Sequence, residues 1–240
     1  MSWLLLDTAL PRAVVAVVAE DGTVKSEILL DETRRHAERL NSAVDEALVA
    51  AGVDVKALTG IGVGIGPGSF IGVRTGLSYA RGLGAACGID VVGIDGLLAL
   101  YGSVDASEDA VVVVDARRGE RYVGTVGVVA GQLALKSAIV AVANEAVEVG
   151  AAGTAVGALD ELQWPATTRL LPVPGPTARG LWRGLQAAVA GHAPGASHVA
   201  PLPVYVRGAD AKLPAVDPAA RRAAVLAELD DHDGVKGPDA

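Results

Sequence analysis

A glycine-rich stretch at residues 60–88, GIGVGIGPGSFIGVRTGLSYARGLGAACG, has the residue types of a phosphate-binding loop. A dinucleotide loop needs glycine at i, i+2 and i+5, a Walker loop needs Gly-Lys-Ser/Thr, and a nucleophile elbow needs glycine two residues either side of its serine. The stretch fails all three tests, because its third glycine position is filled otherwise, it has no lysine, and Ser69 has Pro67 and Ile71 at the elbow positions. What remains is a strand–turn–helix corner at GPGS. That corner either offers backbone N–H groups to an anion at a helix N-terminus or is a tight turn that needs glycine dihedrals.

Two aspartates end apolar, strand-like runs, and each could hold a metal–nucleotide complex. Asp7 closes WLLLD, and Asp115 closes AVVVVD, after which Arg117 and Arg118 could bind an anion. The competing interpretations are turn-capping aspartates and a solvated hairpin turn. Neither aspartate has a second acid placed beside it, and the histidines form no HExxH pair. The sequence therefore predicts no metal site and no catalytic residue in this chain.

Small residues recur at every fourth position in the helix-like segment behind the GPGS corner. Glycine inside a helix costs about 1 kcal/mol against alanine, so a ridge of glycines needs an explanation. Close packing of another backbone, from this chain or from a partner, is the natural one. The ridge consists of Gly72, Gly76, Ala80, Gly84 and Gly88.

The elements that would position these groups alternate between strands and helices. Asp21-Gly22 is typical of a hairpin turn between two β-branched runs. A helical period follows, with Gly52 placed to end it, then a buried strand and the second helix. The same kind of opening recurs at Asp115, which predicts a duplicated α/β fold with a mixed sheet and helices in each half. We expect an N-terminal lobe over 1–103, an eroded second lobe over 104–207, and a C-terminal helix with a loose tail over 208–240.

Composition narrows the class of protein. The chain has 240 residues, of which 51% are hydrophobic and 20% charged, as in a globular protein with a substantial core. No apolar run approaches the roughly 18 residues that span a bilayer, and the start lacks the basic region of a signal peptide. Cys87 stands alone, which favours a reducing, cytoplasmic setting. The net charge of -8 argues against nucleic-acid binding by this chain alone.

The segment GPGSFIGVRTGLSYARGL resembles the signature of the TsaB (YeaZ) family, which is roughly GPGSFTGLRIGL-x-x-AKGL. LLLDTA, RRHAERLNSAVDEAL, DARRGERY and PVYVR also match that family, in its order and over nearly the whole chain. The resemblance implies the two-lobed fold of the actin, Hsp70 and sugar-kinase superfamily. It also implies a non-catalytic subunit in the synthesis of N6-threonylcarbamoyladenosine at tRNA position 37.

The resemblance further implies partners. A TsaD-type transferase would perform the chemistry, a TsaE-type ATPase would join the complex, and tRNA would be met only through it. This subunit would need no cofactor, while ATP and metal belong to the partner subunits. Family members pair with TsaD or as homodimers through helices of the N-terminal lobe. The expected interface residues are His36, Leu40, Val44, Ala47, Leu48, Gly72, Gly76, Ala80, Leu83, Gly84 and Cys87. The motif loop is Gly66, Pro67, Gly68, Ser69, Phe70, Gly72 and Arg74.

The chain departs from the family pattern at three hydroxyl positions. Ala9, Ala37 and Ile71 stand where Ser, Ser and Thr are usual, which weakens any residual nucleotide-binding role. The alternative function is an ATP-dependent small-molecule kinase or transferase of the same superfamily, with Asp7 or Asp115 near the metal. A peptidase, an older label in this branch, lacks a histidine pair here.

Overall fold

The computed structural model describes residues 1–31, 36–190 and 201–206, and it contains two β-sheets with one shared strand pattern. In the first sheet an antiparallel meander comes first, and two further strands then add in parallel beside the opening strand. Its strands are β1 (Ser2–Asp7), β2 (Ala13–Ala19), β3 (Val24–Leu30), β4 (Leu58–Gly64) and β5 (Val91–Ile94). Their order is β3-β2-β1-β4-β5. The predicted hairpin joins β2 to β3 with Gly22 at φ +88.

The second sheet repeats the meander and the parallel additions. Its strands are β6 (Ala110–Arg117), β7 (Glu120–Val129), β8 (Gln132–Leu135), β9 (Val140–Ala143), β10 (Thr154–Gly157) and β11 (Arg169–Pro172). Their order is β11-β10-β6-β7-β8, and β9 pairs with the other end of β7. Because β6 occupies the place of β1, the duplicated α/β fold with a mixed sheet in each half, as predicted from the sequence, is confirmed.

The described residues form four α-helices, which connect or cover these strands. They are α1 (His36–Ala51), α2 (Phe70–Cys87), α3 (Gly96–Gly102) and α4 (Ala178–Ala190). As predicted, α1 ends before Gly52, whose φ is +64. Gly88 ends α2 in the left-handed conformation that glycine tolerates. In the second half, short 3-10 turns at Asn144–Ala146 and Gly150–Ala152 precede β10, where the first half has a full helix before β4.

The first sheet is covered on both faces. One face, with Leu4 and Leu6, shares a core with the inner sides of α1, α2 and α3. The other face, with Leu5, packs against Leu181 and Leu185 of α4, a helix that comes from the second half of the chain. The N-terminus of α4 is fixed there by the Glu27 carboxylate, which accepts a hydrogen bond of 2.6 Å from the Ala178 amide.

The domain boundaries at residues 103 and 207 remain a prediction. The expected C-terminal helix lies outside the described residues. The expected extended segment PVYVR is described as far as Val206, and it runs without regular secondary structure over residues 201–205.

Candidate partner-binding surface and the two aspartate corners

The GPGS corner is held by hydrogen bonds inside the chain. The Ser69 amide donates to the Ala9 carbonyl at 2.7 Å, and the Gly72 amide donates to the Ser69 hydroxyl at 3.2 Å. Thr8 Oγ1 in turn donates to the Gly72 carbonyl at 2.6 Å, so the loop after β1 and the first turn of α2 bind each other. Gly66 has φ +93 and its carbonyl accepts from the Gly96 amide at 2.8 Å. The corner is therefore a packed turn, and two of the N–H groups that an anion site would need are already bonded.

Four of the five residues in the ridge of α2 face the interior of this chain, while Gly88 at its end is exposed. A Cβ at Gly72 would overlap the Thr8 carbonyl oxygen, and one at Gly76 would lie 2.8 Å from Thr8 Oγ1. A Cβ at Gly84 would lie 2.7 Å from the Ile89 carbonyl oxygen, and Ala80 is completely buried. The close neighbours of the ridge are thus the chain's own loops. Close packing against this chain accounts for these four small residues, and their place in a partner interface stays a prediction.

Three of the expected interface residues on α1 face inward as well. Leu40, Val44 and Ala47 are buried in the core beneath the helix, because the apolar stripe of α1 packs on the sheet. Leu48, together with Leu83 and Cys87 of α2, is half-buried and reaches the surface. The side chain of His36 lies outside the described residues.

A groove of about 580 Å³ lies between the second half of α1 and the middle of α2. The helices are linked across it by the Tyr79 hydroxyl, which donates to Asn41 Oδ1 at 3.4 Å. Val49, at the rim, is 81% exposed. The lining residues are Asn41, Val44, Asp45, Leu48, Val49, Gly52, Val53, Asp54, Val55, Tyr79 and Leu83.

Gly82 is the α2 glycine that the ridge pattern missed. No described atom lies within 4 Å of the place where its Cβ would stand, and it is exposed one helical turn beyond Tyr79. The sequence contains a signal for this second face of α2, because Gly82 does not fit the every-fourth spacing of the buried ridge. Asn41 and Asp45 were missed since they lie one position away from the apolar stripe of α1.

Two separate pieces of the family motif meet at the start of α2. The Arg74 guanidinium carbon lies 3.9 Å from the centre of the Phe70 ring, and Arg74 Nε donates to the Tyr205 hydroxyl at 3.1 Å. The Phe70 and Tyr205 rings are 5.4 Å apart, and the Val204 amide donates to the Ile65 carbonyl at 2.8 Å. Phe70 and Arg74 therefore fasten the late PVYV segment to the first lobe.

Asp7 is buried at the end of β1. Its Oδ1 accepts a hydrogen bond of 2.7 Å from the Ala9 amide, while its Oδ2 has no partner among the described residues. Burial raises the pKa of this carboxyl to about 6, against the lowering effect of the Ala9 bond. A Cβ at Gly64 would overlap Oδ2, so only glycine fits beside it. The carboxylate is completely buried, and the possible nucleotide role of Asp7 stays a prediction.

Asp115 lies at the matching place in the second sheet and is paired with cations. Its Oδ1 accepts from the Arg117 amide at 2.8 Å and from Arg121 at 3.1 Å, and Oδ2 is 3.2 Å from the Arg117 guanidinium. The tip that follows has three consecutive positive φ values, +65 at Arg117, +59 at Arg118 and +74 at Gly119. A two-residue hairpin turn with both φ positive is the geometry that follows strand twist. Asp115, Arg117 and Arg118 thus belong to a hairpin, in which Asp115 and Arg117 bind each other.

The described residues show neither a cluster of metal ligands nor a helix suited to a membrane. Within residues 1–31, 36–190 and 201–206, no group of three or more His, Cys, Asp or Glu side chains is arranged to hold a metal ion. Over the same ranges, no helix combines the length and the apolar character that crossing a membrane requires.

Comparison with known proteins gives the family. A family model described as "TsaD: tRNA N6-adenosine threonylcarbamoyltransferase" matches residues 24–172, more than half of the chain. The chain therefore belongs to that family. Within it, the chain is a member of the TsaB/YeaZ branch, as the sequence motifs predicted and as the relatives below indicate.

The relatives align with part or most of the chain. TsaB of Escherichia coli, named a tRNA threonylcarbamoyladenosine biosynthesis protein, is 31% identical over 125 residues, 51% of this chain and 53% of that protein. Rv3421c of Mycobacterium tuberculosis is 40% identical over 120 residues, 50% of this chain and 56% of the relative. The chain thus spans about half the length of the curated relatives it matches. The solved structure of YeaZ from Pseudomonas aeruginosa is 28% identical with a TM-score of 0.73, covering 85% of this chain and 99% of that one.

Proposed function

We propose that this chain is a non-catalytic scaffold subunit of the complex that makes N6-threonylcarbamoyladenosine in tRNA. It binds a TsaD-type transferase, a TsaE-type ATPase joins the pair, and tRNA is met through the complex in the cytoplasm. Relatives that carry the TsaB name and the family model of the transferase support this proposal. The net charge of -8 also fits a subunit that leaves contact with RNA to its partners.

The observation that carries the proposal is the groove between α1 and α2, together with the open surface beside it. The residues that could have supported chemistry are engaged elsewhere, with Asp7 sealed and Asp115 paired to arginines. By contrast, Val49 and Gly82 have no structural reason to be an exposed valine and a helical glycine within the described chain. Exposed apolar area and small residues on two neighbouring helices are typical of a surface that another helix covers.

The test is complex formation with the transferase of the same genome. Gly82→Leu adds a large side chain where the described fold leaves open space, and it raises helix propensity, so the variant is expected to remain folded. We expect it to weaken binding at least about tenfold, because the added side chain keeps α2 and the helix of the transferase apart. Isothermal titration calorimetry of the purified pair measures the effect, and the melting temperature of the isolated variant checks its fold.

Gln186→Leu is the matched control, because Gln186 is exposed on α4, which covers the opposite face of the first sheet. It should bind like the wild type. A wild-type chain that does not bind the transferase, or a Gly82→Leu variant that binds it unchanged, contradicts this use of the surface. Light scattering of the isolated chain, with and without Gly82→Leu, shows whether two copies pair through the same helices when the transferase is absent.

A further inference from the structure

The groove between α1 and α2 holds a carboxylate that has no cation beside it among the described residues. Asp45 is exposed at the groove, and no ion pair of Asp45 occurs among the described residues. Its hydrogen bond from Asn41 Nδ2 is long, at 3.5 Å. Elsewhere on the same helix, Glu46 has Arg39 at 3.6 Å. Among the described residues Asp45 thus has no counter-charge, and its carboxylate is open to a cation from a partner.

The surroundings of Asp45 are apolar enough for its charge to matter. Leu48, Val49, Val53 and Leu83 line the same groove. Burial raises the pKa of the Tyr79 hydroxyl, and the negative charge of Asp45 raises it further, so the two groups interact across the groove. Any molecule that fills the groove removes water from Asp45, and a carboxylate dehydrated without a cation costs several kcal/mol.

The shape of the groove favours a helix as the occupant. Asn41, Asp45 and Leu48 are spaced i, i+4 and i+7 on α1, and Tyr79 and Leu83 are spaced i and i+4 on α2. Two such rows form the walls between which the side-chain ridge of a third helix packs. On α2, the neighbouring Ser78, Gly82 and Ala85 are exposed and small, which lets a third backbone approach closely.

We propose that Asp45 selects the partner of this surface, by pairing with a Lys or Arg on a partner helix whose apolar side chains enter the groove beside it. The inference rests on the proposed function for the identity of that partner, the transferase. The cation offsets the dehydration of Asp45, while a helix with a neutral or acidic residue at that place leaves the carboxylate buried and unpaired.

The experiment uses the full chain and the full-length transferase, with Kd measured by calorimetry at about 50 mM and about 300 mM NaCl. We expect Asp45→Lys to weaken binding at least about tenfold, through repulsion between two cations. Asp45→Asn should weaken it about threefold at low salt and make the Kd less sensitive to salt than in the wild type. Because Asp45 is exposed, the melting temperature of both variants should stay that of the wild type.

Glu148→Lys is the control, since it makes the same change in net charge at an exposed position of the second half of the chain. It should leave the Kd within about twofold of the wild type. In a second arm, each Lys and Arg on the docking helix of the transferase is changed to Glu and paired with Asp45→Lys, and one combination should restore binding. Such a restored pair identifies the partner cation directly.

The outcomes separate the two claims. If the wild-type chain does not bind the transferase at all, the proposed function is contradicted, and the transferase is not the partner of Asp45. If the wild type binds and Asp45→Lys binds equally well, or weakens only as much as Glu148→Lys, the role of Asp45 is overturned while the proposed function stands. A loss confined to self-association would assign the groove to a second copy of this chain and overturn the partner proposed here.

Discussion

Asp7 and Asp115 occupy equivalent places in the two halves of the molecule, yet their surroundings are opposite. Each lies at the end of the opening strand of its sheet, and each accepts a hydrogen bond from the amide two residues later, at 2.7 Å from Ala9 and 2.8 Å from Arg117. Beyond that bond they differ. Asp7 is fully buried with one oxygen unpaired, while Asp115 is partly exposed and bound to Arg117 and Arg121.

The difference shows how one duplicated corner serves two structural purposes. In the first half, the corner at residues 66–69 and the first turn of α2 close over β1, and the aspartate lies beneath them. In the second half, arginines of the hairpin supply the counter-charge to Asp115 instead. Strand position alone therefore does not decide whether an aspartate can serve as a ligand, because the elements that cover the strand end decide its exposure.

The largest effect should come from breaking the fit around Asp7. Gly64→Ala places a methyl group over Asp7 Oδ2 in a site with no free space, and we expect it to lower the free energy of unfolding by about 4 kcal/mol. Urea unfolding followed by circular dichroism measures the loss. Gly82→Ala is the control, since the same methyl group meets open space and should stabilise α2 by up to about 1 kcal/mol.

The Gly64 result can be sharpened with a double variant. Asp7→Ala removes the carboxylate that the methyl group would overlap, so Gly64→Ala with Asp7→Ala should be less destabilised than the sum of the two single variants. A strictly additive pair would show that the strain at Gly64 does not come from Asp7.

The second effect is pH-dependent and concerns the buried carboxyl of Asp7. Its pKa is raised from 3.8 to about 6 in the folded chain, so between these values the folded state holds more protons than the unfolded state. The protonated carboxyl makes its full contribution to the free energy of unfolding below about pH 4, and this contribution is lost as the pH rises through about 6. The rise of the pKa from 3.8 to about 6 corresponds to about 3 kcal/mol. Asp7→Asn should therefore be more stable than the wild type by roughly that amount at pH 8 and about equal to it at pH 4.

Urea unfolding of both proteins across this pH range measures the difference. A difference between wild type and Asp7→Asn that stays constant from pH 4 to pH 8 would refute the assignment of a dehydrated carboxyl to Asp7.

The smallest effect has the opposite sign and tests the other half of the comparison. Asp115→Asn removes the charge that faces the guanidinium of Arg121, whose side chain is only 7% exposed, so the variant should be less stable by about 1–2 kcal/mol at neutral pH. Arg117→Ala, at the exposed partner, should change the stability by less than about 0.5 kcal/mol. If Asp115→Asn were neutral or stabilising in thermal unfolding, the contrast between the two corners would fail.

Local patterns predicted the elements well. The Asp21-Gly22 turn, the end of α1 before Gly52 and the recurrence of a meander at Asp115 were all visible in the sequence, because turn chemistry and strand periodicity act over a few residues. The sequence did not indicate, however, whether the glycine ridge of α2 faces the interior of the chain or its surface. A helix with small residues on one side and exposed small residues on another offers two faces for close packing, and tertiary contacts such as that of Gly72 with Thr8 decide between them.

The sequence also did not predict the groove between α1 and α2. It depends on the separation between α1 and α2, which is set by how both helices pack on the first sheet. Likewise, nothing in the sequence around Leu181 and Leu185 indicated which sheet α4 would cover, since an apolar helix face fits either one.

That placement of α4 sets an order of events during synthesis. Leu5, Val14 and Val92 leave the ribosome long before Leu181 and Leu185, which cover them in the finished molecule. Until about residue 190 has emerged, one apolar face of the first sheet is bare, and contacts so distant along the chain form slowly. We expect a fragment ending at residue 103 to leave that apolar face uncovered and therefore to aggregate more readily than the whole chain.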